Sequence, residues 1–451
     1  MTGVFKHVQE FFLASALVLS CAFLNRVQAQ VGPATGQPSR VDLGLRAVLD
    51  SVTARHPTVL AARARAKGAA GARLTAGTFA NPTFSYQVEN APVFGGQHPQ
   101  GIDRETMEMV TLPLEPFYQR GPRTKQADAQ LRGAIAEADA ITQTMLLDAA
   151  RAFYRVAQAQ VRVALTREVA NWLDTVVAYN RSRVEEGVAA EADLIRVQLE
   201  RDRIVADATT RQAELVRAQT ELGAFTGTTE IFSTAPVIFE TGVLPLPPEF
   251  AVGATVGSPT TSHGQSLLLA RPDVRAARER TIAAGAAVAT ERSMLFREIG
   301  ATLGTKQMLG TTSLIAGFSV PIPAFDRNRG EVARASAERD AAMLDLEAST
   351  RTARAQLAGA IAAAQLLTER ASVLSATTDT GFLARAEQAK RISLGAYREG
   401  AVPLLQVIDA VRAWSDARMT YFDLLFAQHQ SVLDLLYASG SDIRAGATQS
   451  R

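Results

Sequence analysis

The chain has 451 residues, 47% of them hydrophobic and 20% charged, a balance that leaves room for up to three domains and excludes a disordered chain. Lys and Arg number 47 against 45 Asp and Glu, a net charge of +2, and no run of like charge marks a nucleic-acid partner. The only cysteine, Cys21, lies near the N-terminus, so neither an intramolecular disulfide nor a thiolate metal cage can form.

Lys6 and His7 precede an apolar run from Phe11 to Leu24, and Val27-Gln28-Ala29 follows it. This order reads as a secretory signal peptide over residues 1–29, followed by a flexible segment over 30–40. Val18-Leu19-Ser20-Cys21 offers a rival processing site of the lipoprotein kind, in which Cys21 would be acylated. The run spans about 14 residues against the roughly 20 a spanning helix needs. No later apolar segment is longer, so a membrane crossing would have to be made by strands.

The rest of the chain is written twice. Arg55-His56-Pro57 with Ala61-Ala62-Arg63 returns as Ala270-Arg271-Pro272 with Ala276-Ala277-Arg278, and Pro113 to Phe117 returns as Pro321 to Phe325. Arg183 to Gly187 returns as Ala396 to Gly400, and Leu222 and Gly227 fall on Leu435 and Gly440. Near-constant displacement implies an internal duplication. Residues 41–227 form the first copy and 263–440 the second, with a Thr-, Pro- and Gly-rich linker at 228–262 and a tail at 441–451.

Each copy opens with an Ala- and Arg-rich helical stretch, residues 41–76 and 264–296. Alternation then predicts strands at about 82–90 and 104–114, and at about 297–304 and 312–321. Phe84, Tyr86 and Val88 oppose Thr83, Ser85, Gln87 and Glu89; Leu314, Ala316, Phe318 and Val320 alternate with Ser313, Ile315, Gly317 and Ser319. In the second strand Met107 and Met109 share a face with Glu105 and Thr111. After each strand pair a helix begins, near Pro122 and near Glu331, with no stop signal before Gly187 and Gly400. At about 1.5 Å per residue such rods are near 100 Å long. Their apolar spacing is that of a coiled coil: Leu147, Ala150, Tyr154, Ala157, Val161, Ala164, and Ala353, Leu357, Ala360, Ala364, Leu367, Ala371, Leu374. A second helix returns from each glycine, giving hairpins over 122–226 and 331–438.

Four amphipathic strands cannot close a transmembrane barrel alone, because the smallest single-chain barrels use about eight. Three copies would supply twelve strands and six helical hairpins. The expected fold is therefore mainly α with transmembrane β, a trimeric 12-stranded barrel continued by a long α-helical barrel.

The duplicated layout, the turns Glu186-Gly187-Val188 and Glu399-Gly400-Ala401, and the Arg271-Pro272-Asp273 opening of the second copy resemble the TolC-like outer-membrane factors of tripartite efflux systems, over about residues 40 to 440. Asn81-Pro82-Thr83-Phe84 through Val88-Glu89-Asn90, and Val320-Pro321-Ile322-Pro323 through Asn328-Arg329-Gly330-Glu331, are similar to the CzcC branch, which serves heavy-metal cation efflux. The resemblance implies a homotrimer in the outer membrane reaching into the periplasm, in contact with outer-membrane lipid. It also implies a periplasmic adaptor and an inner-membrane proton-driven pump of the RND type as partners. In that family polar and acidic residues past the second tip glycine close the periplasmic aperture; the matching positions are Gln406 and Asp409, and only Asp409 keeps the charge. Asp193 and Tyr397 match positions that tie neighbouring helices, while Val402 stands where an arginine often serves as partner. The tips Gly187, Val188, Gly400 and Ala401 are the implied adaptor-docking points. On spacing alone, Asp193 and Asp409 also read as ordinary solvated residues.

No enzymatic constellation appears: there is no phosphate-cradling loop and no nucleophile elbow. His56, His98, His263 and His429 are scattered, and Met107, Met109 and Glu105 on one strand face give too few donors for a metal site. No cofactor is expected, and energy has to come from a partner. The competing readings are a duct of the same fold for drug efflux or type I protein secretion, and a soluble periplasmic coiled-coil adaptor, which would have strands polar on both faces.

Overall fold

A computed structural model describes residues 44–91, 104–115, 117–227, 242–251, 253, 257–296, 299–375 and 381–446. The expected signal peptide with Cys21, residues 228–241 of the linker and the end of the tail lie outside them. Each opening helical stretch is a pair of helices, not one. In the first copy α1 (Leu45–Arg55) and α2 (Pro57–Gly77) are separated by His56 at ψ 125°. In the second, α5 (Ser262–Ala270) and α6 (Pro272–Ser293) are separated by Arg271 at ψ 134°. Pro57 and Pro272 account for both breaks, because a proline pushes the preceding residue out of the helical region.

The strands are β1 (Thr83–Glu89), β2 (Glu105–Leu114), β3 (Ile299–Met308) and β4 (Thr311–Ser319). β3 runs four residues past the expected 304, because the hairpin turns only at Leu309 (φ 53°) and Gly310 (φ 75°). Positive φ at both central residues is the two-residue turn whose twist matches the strands it joins. The sheet order is β1-β2-β3-β4, antiparallel throughout. The β2–β3 ladder joins the two copies, so the outer edges of β1 and β4 are left unpaired among the described residues.

The first long helix, α3 (Phe117–Glu185), starts before the expected Pro122, which sits inside its second turn at the cost of one backbone hydrogen bond. Its return helix is α4 (Glu191–Thr226). The second hairpin differs from the uninterrupted rod expected from Glu331 to Gly400: α7 (Arg329–Ser375) ends, and α8 (Phe382–Arg398) starts afresh after an extended Gly381. Residues 376–380 of the expected rod lie outside the described residues. The return helix is α9 (Leu404–Ala438).

Small residues let these helices pack closely. Ala149, Ala150, Ala152, Phe153 and Val156 of α3 are buried with Val48, Leu49 and Val52 of α1, Leu222 of α4 and Phe426 of α9. Burying a side chain the size of Phe153 contributes about 1.5–3 kcal/mol. Nearer the tips a second cluster joins Leu173 and Val176 to Val197, Val407, Ile408, Val411 and Trp414. The expected α3 seam holds through Ala157 and then drifts: Ala164 is exposed, and Val163, Val169 and Leu173 take over the buried face. A straight helix drifts in this way against a strict 3,4 pattern.

The Arg-Pro-Asp opening of the second copy has a structural task. Arg271, 2% exposed, donates to the Ala438 carbonyl at 3.1 Å, to Gln356 at 2.9 Å and to both Asp273 oxygens at 3.1 and 2.7 Å. A guanidinium at the carbonyl end of α9 also matches the helix dipole. Asp326 and Asn328, between β4 and the next long helix, work likewise. Asn328 takes φ 56°, its N–H bonds Asp326 at 2.8 Å, and its amide bonds the Glu291 carbonyl at 2.8 Å and carboxylate at 2.9 Å.

Candidate functional site: the hairpin tips and the sheet

Both tips are built alike. Gly187 (φ 73°) donates to Val184 at 3.0 Å while Val188 donates to Arg183 at 2.9 Å; Gly400 (φ 74°) donates to Tyr397 at 3.0 Å while Ala401 donates to Ala396 at 2.8 Å. The pair of bonds satisfies the last helical carbonyls and requires a left-handed residue, which glycine supplies without strain. No atom lies within 4 Å of where a Cβ would stand on either glycine. Val188 is 60% exposed. The turns are thus stabilised from within, and no described residue covers either glycine.

Just behind the tips, the Tyr397 hydroxyl donates to Asn180 Oδ1 at 2.6 Å, and Asn180, fully buried, donates its amide to Val176 at 2.9 Å. Arg183 lies over the rings of Tyr179 and Tyr397 at 5.7 and 5.8 Å. Tyr397 therefore ties α8 to α3, through Asn180. Asp193 is elsewhere: it is half-buried in the first turn of α4, where its charge suits the helix dipole. Among the described residues its carboxylate has no hydrogen bond or ion pair. Asn180 and Arg183 were missed in the sequence because no spacing rule links them to a residue some 217 positions away.

Gln406 and Asp409 are exposed on α9, on the side opposite buried Val407, Ile408 and Val411. Asp409 lies 3.7 Å from Arg412, a neighbour that helical spacing of three makes inevitable. Arg412 is committed mainly to Glu200 of α4, with Nε 2.9 Å from Oε1. That hydrogen bond holds the Glu200 carboxyl below its ordinary range, against the opposing effect of burial. The pairing therefore contributes in full above the ordinary carboxylate range and is lost as pH falls through the lowered value. Further ion pairs continue between α3 and α9: Glu168 with Arg418 at 2.7 Å, Arg162 with Asp423 at 2.8 Å, and Arg151 with Asp434 at 2.7 Å.

At the other end, strand register gathers the apolar positions. Phe84 pairs with Val110, Val110 with Leu303 and Leu303 with Ala316, while Leu112 pairs with Ala301 and Ala301 with Phe318. Directly paired residues share a face, so one face carries Phe84, Tyr86, Val110, Leu112, Leu303, Leu314 and Phe318, all exposed. The opposite face carries Thr83, Gln87, Glu89, Thr111, Thr302, Lys306 and Ser313. There Thr111 and Thr302 share a hydrogen bond of 3.1 Å, and Glu105 is ion-paired with Lys306, which withdraws it from Met107 and Met109 as a metal donor. Gly304 is required where the strands come close: a Cβ would stand 2.2 Å from the Glu108 carbonyl. Among the described residues no group of three His, Cys, Asp or Glu could hold a metal, and no helix is long and apolar enough to cross a membrane.

An exposed apolar sheet face backed by a polar one, carried on duplicated helical hairpins, is the layout of a membrane duct, and comparison with known proteins agrees. Residues 264–441 match the family model described as Outer membrane efflux protein. The matched stretch is the second copy of the repeat. The match supports a channel component of the outer membrane that extends into the periplasm over a soluble adaptor. The chain is 27% identical over 359 residues to the nickel-cobalt-cadmium resistance protein NccC of Alcaligenes xylosoxydans xylosoxydans, covering 77% of this chain and 76% of NccC. It is 24% identical to the cobalt-zinc-cadmium resistance protein CzcC of Cupriavidus metallidurans, over 86% of this chain and 88% of that one. In fold it is similar to the crystal structure of CusC, described with conformational changes accompanying transmembrane channel formation, at TM-score 0.72 and 18% identity over 91% of this chain and 96% of CusC.

Proposed function

We propose that this protein is an outer-membrane efflux channel, the exit duct for heavy-metal cations, working as a homotrimer with a periplasmic adaptor and a proton-driven inner-membrane pump. The observation that carries the trimer is the four-stranded sheet with two unpaired outer edges and one apolar face. An open edge is not tolerated in hydrocarbon, where each unpaired backbone group costs several kcal/mol. Three copies supply twelve strands, pairing β4 of one with β1 of the next. The polar sheet face then lines the lumen, and the exposed tips Gly187, Val188, Gly400 and Ala401 receive the adaptor. Gln406 and Asp409, gathered by threefold symmetry, line the periplasmic aperture, with Tyr397 holding the hairpins together behind it and Asp193 facing a neighbouring helix.

The cation cargo is supported by the resistance relatives NccC and CzcC. The test is growth of a deletion strain across zinc, cobalt, cadmium, nickel and copper beside a panel of hydrophobic drugs. Sensitisation to cations well beyond that to drugs is expected; equal or drug-only sensitisation would assign the duct to drug efflux.

A further inference from the structure

Where the sheet gives way to the helices, the two copies end differently. In the first, the Arg120 guanidinium lies over the ring of Phe79, 4.5 Å from its centroid, and donates to the Gly77 carbonyl at 2.7 Å. Arg123 donates to the Ala76 carbonyl at 2.9 Å and pairs with Glu115 at 2.8 Å. Both cations of that junction are engaged within the chain. In the second copy Arg120-Gly121 recurs as Arg329-Gly330. Here Arg329 and its neighbour Arg327 are exposed, and neither guanidinium has a hydrogen bond or ion pair among the described residues. Of the acids beside them, Asp326 accepts from the Asn328 N–H at 2.8 Å, and Glu331 is paired with Arg334 at 2.8 Å.

The same segment carries the two most exposed large hydrophobic side chains among the described residues, Phe325 at 103% and Ile322 at 85%. Their exposure is built into the connection. Pro321 and Pro323 fix the backbone on either side of Ile322, the Ala324 N–H donates to the Ile322 carbonyl at 2.8 Å, and buried Asn328 is tied to Glu291. With Met294, Leu295, Pro323 and Asp326 these two side chains border an open recess of about 320 Å³. Exposed apolar surface held in this way marks an interaction site. Val320 and Ile322 continue in sequence the alternation of Leu314, Ala316 and Phe318, so the patch prolongs the apolar sheet face as far as the start of α7.

We infer that this connection binds an anionic phospholipid, with an acyl chain along Ile322 and Phe325 and the phosphate on Arg327 and Arg329. The inference rests on the outer-membrane channel proposed above and adds a lipid class and a headgroup site to it. Hydrocarbon takes up the isoleucine and the ring, while the guanidinium forks suit phosphate and stay at the level of the headgroups. A zwitterionic lipid offers the same phosphate but brings its own cation to it, so the two arginines favour the anionic one.

The test uses the full-length protein carrying Phe325→Trp, and separately Phe318→Trp on the sheet face. Each is reconstituted in vesicles of equal parts phosphatidylcholine and phosphatidylglycerol, with one lipid or the other bearing brominated acyl chains that quench indole fluorescence. The native Trp172 and Trp414 belong to the cluster near the tips, so the wild-type protein supplies the background. Phe318→Trp should be quenched by either brominated lipid. Phe325→Trp should be quenched several-fold more by brominated phosphatidylglycerol than by brominated phosphatidylcholine, and Arg327→Ala with Arg329→Ala should bring the two to parity. Equal quenching of Phe325→Trp by both lipids, or a preference that survives loss of the arginines, would overturn the headgroup site. Quenching at position 318 but not at 325 would mean that a neighbouring subunit or water covers the patch, which overturns this inference and leaves the channel standing. Quenching at neither position would overturn both.

Discussion

Removing the Tyr397 hydroxyl would strand Asn180 Oδ1 in a site without solvent, and an orphaned buried acceptor costs about 1–3 kcal/mol. Tyr397→Phe should therefore lower the thermal midpoint of the detergent-solubilised protein by several degrees, while Asn180→Leu in the same background should recover part of the loss, because both partners would then be apolar. An unchanged midpoint in Tyr397→Phe would mean that the bond is replaced by water. Asp409 belongs to the same scale but to a different argument. If three copies ring the aperture, their carboxylates attract divalent cations and repel one another, although Arg412 at 3.7 Å offsets part of each charge. Asp409→Ala should raise single-channel conductance modestly and remove most of the block by divalent cations added on the periplasmic side. Unaltered block would make Asp409 a solvated surface residue.

In the proposed duct the two tip turns are the elements on which docking depends, and their geometry separates two kinds of damage. Since nothing lies within 4 Å of a Cβ on Gly187 or Gly400, substitution there meets no steric wall. The penalty is conformational, about 1–2 kcal/mol for a side chain held in the left-handed region. Gly400→Val should accordingly leave oligomers in the membrane, abolish metal resistance and weaken adaptor crosslinking; full crosslinking with lost resistance would place docking elsewhere. Much at this scale was legible in the sequence, because period-2 alternation, glycine stops and the repeated Pro landmarks are local signals. What was not legible is equally instructive. The breaks at His56 and Arg271 follow from Pro57 and Pro272, but the helical periodicity on both sides outweighed that signal. The Glu200–Arg412 and Asn180–Tyr397 contacts join hairpins from different copies, and no pattern within one copy specifies them.

At the scale of the molecule, the sheet has two outer edges, and in the proposed trimer each chain contributes one of them to either neighbour. Every subunit is thus both donor and acceptor, and the ring is only as sound as its worst joint. The genetic consequence concerns mixtures. A chain that folds but carries one spoiled edge would enter rings with normal chains and leave a gap in the wall, and with equal amounts of the two only roughly one ring in eight would contain normal chains alone. Such an allele would be dominant, and more harmful to a cell than the loss of the gene.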